Sequence, residues 1–220
     1  MELSKIVSDL LLEWYIDNKR SYVWRGKKDP YKILIAEIML QRTKADQVEP
    51  VYLSFLKKFP TPEELNRASE EEISFYFKKL GLLWRAPLLK RLAKELVDRF
   101  EGKIPESRNR LLSLPAIGEY VADAVLSFAF GKDIAVVDAN VCRVIGRVFG
   151  LKAKGEARRD HRFRMIAQQI LPPGKAKEFN WSMIDFASLI CVPHNPKHSI
   201  CPLREICSYY QKLQDVCVDF

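Results

Sequence analysis

Long apolar runs are missing from this 220-residue chain. Nothing approaches the roughly 18 consecutive apolar residues that a membrane-spanning helix needs, so a membrane span is excluded. Met1–Asn18 shows no export signal, so a cytoplasmic setting is expected and structural disulfides are not. There is no low-complexity tract and no repeat period. Sustained period-two alternation is also absent. The best strand candidate is Ile134–Val137, only four residues long. Histidine and cysteine are scarce, at three and five residues, so any clustering of them carries weight.

What is present is helical periodicity. Ile73, Tyr76, Phe77 and Leu80 recur at i, i+3, i+4, i+7, as do Leu89, Leu92, Ala93 and Leu96, and Val141, Val144, Ile145 and Val148. Leu34, Ile35, Ile38 and Met39 form another stripe, and Val48, Val51, Tyr52 and Phe55 the next. Breakers separate them: Asp29-Pro30, Pro60-Thr61-Pro62, Gly81, Gly102, Gly118, Gly131, Gly150 and Pro172-Pro173-Gly174. Thr61 is placed to cap a helix with Pro62 in its first turn. The pattern predicts an all-α protein of about ten short helices. With 48% hydrophobic residues, it has enough apolar surface for one substantial core or two small ones.

Thirty-six basic residues against 28 acidic ones give a net charge of +8. That excess suits a polyanion, nucleic acid being the commonest; ordinary solubility charge is the alternative. The densest chemistry lies at Cys191-x6-His198-x2-Cys201-x5-Cys207, four candidate metal ligands within 17 residues. In a chain without export features, such a set points to a metal or cluster before disulfides. Zinc accepts a tetrahedral Cys3His set, whereas an iron–sulfur cluster normally takes four thiolates, so composition alone favours zinc. Cys142 falls in an apolar helical stripe and reads as core; Cys217 reads as a free thiol near the terminus.

Leu114-Pro115-Ala116-Ile117-Gly118 separates two helical stretches. Pro115 stops the first, and Gly118 is the residue expected to allow a left-handed turn into the second. The amides at such a helix start suit a phosphate, although an ordinary packing corner fits the same pattern. Downstream stands Val137-Asp138-Ala139-Asn140-Val141-Cys142-Arg143-Val144, and then the cysteine-rich segment.

This order resembles the helix–hairpin–helix DNA glycosylase superfamily, which includes endonuclease III and the MutY-type adenine glycosylases. The family hairpin is usually Leu-Pro-Gly-Val-Gly. Its catalytic aspartate lies in Val-Asp-x-x-Val-x-Arg-Val, and its cluster motif is C-x6-C-x2-C-x5-C. The resemblance covers nearly the whole chain. Upstream, Asp29-Pro30-Tyr31, Trp24-Arg25 and Glu37-Ile38-Met39-Leu40-Gln41-Arg42-Thr43 resemble family segments, as does Asn180–Phe186 before Cys191.

The resemblance implies two helical lobes, residues 29–132 and residues 1–28 with 133–220, and a C-terminal loop holding a 4Fe–4S cluster. His198 would replace one cysteine ligand. Three outcomes stay open for it: an iron ligand, a zinc ligand, or part of a degenerate loop. Asp138 matches the catalytic aspartate, which stabilises positive charge on the sugar; its other reading is a helix cap. Tyr120 stands where strand-cleaving members carry a lysine, so a monofunctional enzyme is implied, because a phenol forms no Schiff base. Glu37 would face the flipped base. Gln41 and Arg42 would fill the gap or contact the orphan partner. Leu114, Ala116 and Gly118 of the hairpin and Trp84 and Arg85 of the Gly81–Ala86 loop are further candidates for DNA contact.

Tyr120, Arg42, the Ala139-Asn140 pair and the Phe186 context resemble the mismatch thymine glycosylases. The expected reaction is therefore hydrolysis of thymine or uracil opposite guanine in double-stranded DNA by a nucleoid-associated monomer. A separate abasic-site endonuclease would follow it. Adenine opposite guanine or oxidised guanine is the alternative. The thirteen residues after Cys207 leave no room for the extra domain common in that branch. A non-catalytic DNA-binding module and a zinc-dependent hydrolase are readings of other classes. Asp138 argues against the first, and a closed Cys3His set against the second.

Overall fold

The computed structural model describes residues 2–218, and their side chains as far as residue 215. Its described residues form twelve α-helices: α1 (Glu2–Asn18), α2 (Pro30–Met39), α3 (Ala45–Lys58), α4 (Pro62–Arg67), α5 (Glu70–Lys79), α6 (Ala86–Phe100), α7 (Arg108–Leu112), α8 (Glu119–Phe128), α9 (Ala139–Val148), α10 (His161–Ile170), α11 (Ala176–Leu189) and α12 (Ser208–Val218). Short 3-10 helices fall at Leu83–Arg85, Ala157–Arg159, His198–Ile200 and Arg204–Ile206. The side chain of Cys217 lies outside the described residues. The chain divides into two compact units, one of Ser21–Phe130 and one of Met1–Arg20 with Gly131–Phe220.

In the first unit, local chemistry sets the helix starts. Asp29 caps α2 by accepting from the amides of Tyr31 and Lys32 at 3.0 and 3.4 Å, with Pro30 in the first turn. Thr61 caps α4 through the Glu64 amide at 3.3 Å. Ser69 and Glu72 form a reciprocal capping box on α5. The apolar stripes then face inward: Leu89, Leu92, Ala93 and Leu96 of α6 are all buried. Phe55 packs edge-on against Phe59, Tyr76 and Phe77, with centroids 5.0, 5.5 and 5.9 Å away. Eight of the ten residues of α2 are buried, so this helix runs through the unit's interior against α3 and α8.

The second unit packs α1 against α11, with Trp14 edge-on to Phe186 at 5.6 Å, and places α9 among α10, α11 and α12. Its core joins Leu11, Val141, Val144, Ile145, Phe163, Phe179 and Phe186. Cys142 is part of it, and burial pushes its thiol up to about 11.

Ile134–Val137, the best strand candidate, forms no strand, and there is none among the described residues, in keeping with the all-α reading. Side-chain amides replace the missing neighbour. Asn180 accepts from the Val136 amide at 3.0 Å and donates to the Ile134 carbonyl at 2.8 Å, while Gln168 binds the Ala135 amide and the Asp133 carbonyl. One expectation is corrected, that of a metal or cluster loop. Between α11 and α12 the chain makes two 3-10 turns, but among the described residues no group of three or more His, Cys, Asp or Glu is placed to hold a metal ion. No helix among them is long and apolar enough to cross a membrane.

Candidate functional site

The first unit brings Glu37 and Tyr120 together. Glu37 is only 3% exposed, on the buried face of α2. The Tyr120 hydroxyl, from the first turn of α8, donates to its Oε2 at 2.9 Å. A buried carboxylate that accepts a hydrogen bond from a phenol is held in one orientation.

Past the end of α2 the backbone turns sharply, and Arg42 takes a left-handed φ of 65°. Gln41 Oε1 accepts a hydrogen bond from Arg85 Nη2. Arg85 is 5% exposed and lies 4.4 Å from the ring of Trp84, which is 56% exposed. Burial and the nearby Arg42 charge both hold the Arg85 guanidinium below its usual range. Gln41, Arg42, Trp84 and Arg85 thus form one cluster at two adjoining loops, although they are 44 residues apart in the case of the Gln41–Arg85 bond.

At the hairpin the expected roles of two residues change. Gly118 is extended (φ −97°, ψ 180°) and caps α8; the left-handed residue is Ala116, with φ 64°. A cap needs extended backbone, so the reversal falls two residues earlier. A left-handed alanine is strained by about 1–2 kcal/mol, part of which a glycine would return as lost unfolded-state restriction. Ala116→Gly should therefore raise stability by up to about 1 kcal/mol, read as a shift in the urea midpoint. Leu114 is buried, so its side chain packs inside the unit and only its backbone can face a ligand. The sequence reading missed the ion pair that braces the hairpin. Arg108 Nε lies 2.7 Å from Asp123 Oδ1, with Asp123 fully buried on α8, and Arg108 Nη2 lies 3.3 Å from Glu119.

Asp138 stands in the other unit. It caps α9: Oδ1 accepts from the amides of Asn140 and Val141 at 2.8 and 2.7 Å, and Oδ2 accepts from Asn140 Nδ2 at 2.8 Å. Three donors on one carboxylate fix its plane. Asn140 Oδ1 in turn accepts from Arg143 Nη1 at 2.9 Å, and Arg143 donates to the carbonyls of Ala187 and Cys191. The i, i+3 spacing of Asn140 and Arg143 is the signal that could have found this pairing.

The expected 4Fe–4S or zinc ligands do not fit such a group. Cys191, His198, Cys201 and Cys207 border one cavity of about 20 Å³, shared with Val148, Phe186, Ile190 and Leu203; this is roughly the space of a single water. Two of the thiols are engaged elsewhere. Arg147 Nη1 donates to Cys191 Sγ at 3.4 Å and to the Val192 carbonyl at 2.7 Å, and the Cys207 thiol donates to the Arg147 carbonyl at 3.5 Å. The His198 ring packs against Tyr210 at 4.9 Å. Burial pushes the Cys201 thiol up to about 11. All four described cysteines are free thiols. The loop is held by guanidinium–carbonyl bonds and ring packing.

Residues 35–169 match the model of the HhH-GPD superfamily of base excision DNA repair proteins. The chain belongs to this superfamily. The matched stretch contains Glu37, the Gln41–Arg85 cluster, the hairpin, Tyr120, Asp138 and Arg143, and it stops before the Cys191–Cys207 loop. Relatives extend the comparison over most of the chain. A thymine/uracil-DNA glycosylase of Pyrobaculum aerophilum is 42% identical, covering 94% of this chain and 93% of that protein. The adenine DNA glycosylase of Homo sapiens is 31% identical over 93% of this chain but only 39% of its own length. The structure of a thermostable thymine-DNA glycosylase superposes with a TM-score of 0.91 at 36% identity, covering 96% of this chain and 98% of that one. An endonuclease III in complex with DNA shares the fold, with a TM-score of 0.83 at 24% identity over 95% of each chain.

Proposed function

We propose that this protein is a monofunctional DNA glycosylase that hydrolyses the N-glycosidic bond of thymine or uracil opposite guanine in double-stranded DNA. The observation that carries the reading is the Glu37–Tyr120 pair. A phenol hydrogen-bonded to a buried carboxylate stands where an amine would be needed for strand cleavage, and it forms no imine. Glu37 would face the flipped pyrimidine and accept its N3–H. As the C1′–N bond breaks, its electron pair leaves with the base. Asp138 stabilises the cationic sugar and takes the proton of the water whose oxygen joins C1′.

Relatives named for thymine or uracil support this substrate, with 42% and 39% identity over nearly their whole lengths. The adenine-branch relatives match at 35% and 31% over about three-fifths of theirs. The net charge of +8 supports work on chromosomal DNA. We take the enzyme to be a monomer in the cytoplasm, on the nucleoid, that leaves an intact abasic strand for a separate abasic-site endonuclease.

The test is incubation with duplexes carrying one T·G, U·G, A·G or A·oxidised-guanine pair, with and without alkali. Cleavage of the T and U strands only after alkali is expected. Cleavage of the A strand would move the assignment to the adenine branch. Tyr120→Lys should introduce cutting before alkali, and borohydride should trap that variant covalently on its substrate.

A further inference from the structure

The Arg85 guanidinium is buried at a cost the fold does not need to bear. Its residue is 5% exposed, its Nε has no partner, and the neighbouring Arg42 charge opposes it. Burying a cation with so few acceptors is unfavourable, and an unbranched apolar side chain would fill the same space more favourably. Thr43 Oγ1, two residues beyond Gln41, is likewise shielded and unpartnered. What the guanidinium does make is one directed bond, from Nη2 to Gln41 Oε1, while its Cζ sits over the ring of the exposed Trp84.

That bond has a chemical consequence. An amide can face a base either as donor or as acceptor. With Oε1 turned toward Arg85, Gln41 presents its Nε2 hydrogens. Guanine offers a matching acceptor, O6, at the edge it exposes when its partner is flipped out. Adenine offers an N–H2 donor at the same place, and two donors repel. We propose that Arg85 is a positioning residue that locks Gln41 as a hydrogen-bond donor, so that the orphan base is accepted as guanine and refused as adenine. A thymine in an ordinary pair with adenine is thereby spared. The inference rests on the reading that this site handles a base opposite guanine.

The test measures orphan-base recognition without turnover, so it stands apart from the glycosylase assay. Affinity is read for duplexes with a tetrahydrofuran abasic analogue opposite guanine, inosine, 2-aminopurine or adenine. Inosine keeps O6 and 2-aminopurine lacks it. The native protein should bind the guanine and inosine duplexes about tenfold more tightly than the other two, the worth of one well-placed hydrogen bond. Arg85→Met should flatten that preference to within about twofold while leaving thermal stability equal or higher, since it removes an under-partnered buried charge. Arg85→Lys should flatten it as well, because an ammonium lacks the planar fork. Gln41→Ala should lose the same preference, and adding Arg85→Met to it should change nothing more. An equal loss on all four duplexes, or a preference that survives Arg85→Met, would overturn the assignment. A flat pattern in the native protein beside active T·G cleavage would overturn this inference alone. The expected pattern without cleavage of any mismatch would leave the inference standing and sink the proposed reaction.

Discussion

Asp138→Asn is expected to lower base removal by about 10²- to 10⁴-fold while DNA binding and folding persist. The substitution separates the helix cap from the proposed catalytic role. Asparagine caps a helix about as well as aspartate, so the bonds from the Asn140 and Val141 amides to Oδ1 can stay. What goes is the negative charge, and with it the means to stabilise a cationic sugar and to take a proton from water. The bond from Asn140 Nδ2 would meet a second amide donor, a loss of about 1 kcal/mol that should appear as a small fall in melting temperature. Single-turnover rates on a T·G duplex, with affinity for the same duplex, decide the matter. A variant that still turns over would leave Asp138 as a helix cap and nothing more.

Asp185→Ala should cost about 3 kcal/mol of stability, the largest structural loss expected of a single change. Asp185 is fully buried on α11. Its Oδ1 lies 2.6 Å from Arg20 Nε, and its Oδ2 accepts from the Arg20 backbone amide at 3.0 Å. The aspartate therefore fastens the residues after α1 to α11, across 165 positions of sequence. Removing it strands both donors. The Arg20 side chain is 27% exposed, so water recovers part of the loss, which holds the figure to the lower end of the range for buried pairs. Replacing both partners, Arg20→Met with Asp185→Leu, should restore most of it, because no charge is then left without a partner. Urea midpoints of the two variants give the comparison; a change under about 1 kcal/mol in Asp185→Ala would mean the pair is solvated in solution.

The sequence was most legible where structure is local. The stripe Leu89, Leu92, Ala93, Leu96 faces inward on α6, and Thr61 caps α4 as the residue types require. The hairpin was half legible. Pro115 marked the break, but which residue reverses the chain depends on where the cap must be extended, and Ala116 rather than Gly118 takes the left-handed turn. The Cys191–Cys207 spacing misled for a related reason. Spacing is one-dimensional, whereas a ligand set needs four side chains converging on one point; here Arg147, the Arg147 carbonyl and Tyr210 engage three of those groups. What holds the irregular segment Ile134–Val137 was equally illegible, since its partners Gln168 and Asn180 are 33 and 44 residues from the amides they bind.

By itself the sequence determined that the chain is helical, that Thr61 opens a helix, and which residue types stand in the motifs that resemble the family's. Periodicity, capping and motif order act within a few residues of one another, so they can be read along a line. Only the tertiary structure decided that Glu37 is buried against Tyr120, that Arg85 turns the amide of Gln41, that Asp138 is fixed through Asn140 and Arg143, and that the cysteine loop is closed by guanidinium bonds. Each of these is a hydrogen bond whose strength depends on burial and on an orientation set by packing between distant segments, and neither quantity is written in the spacing of residues.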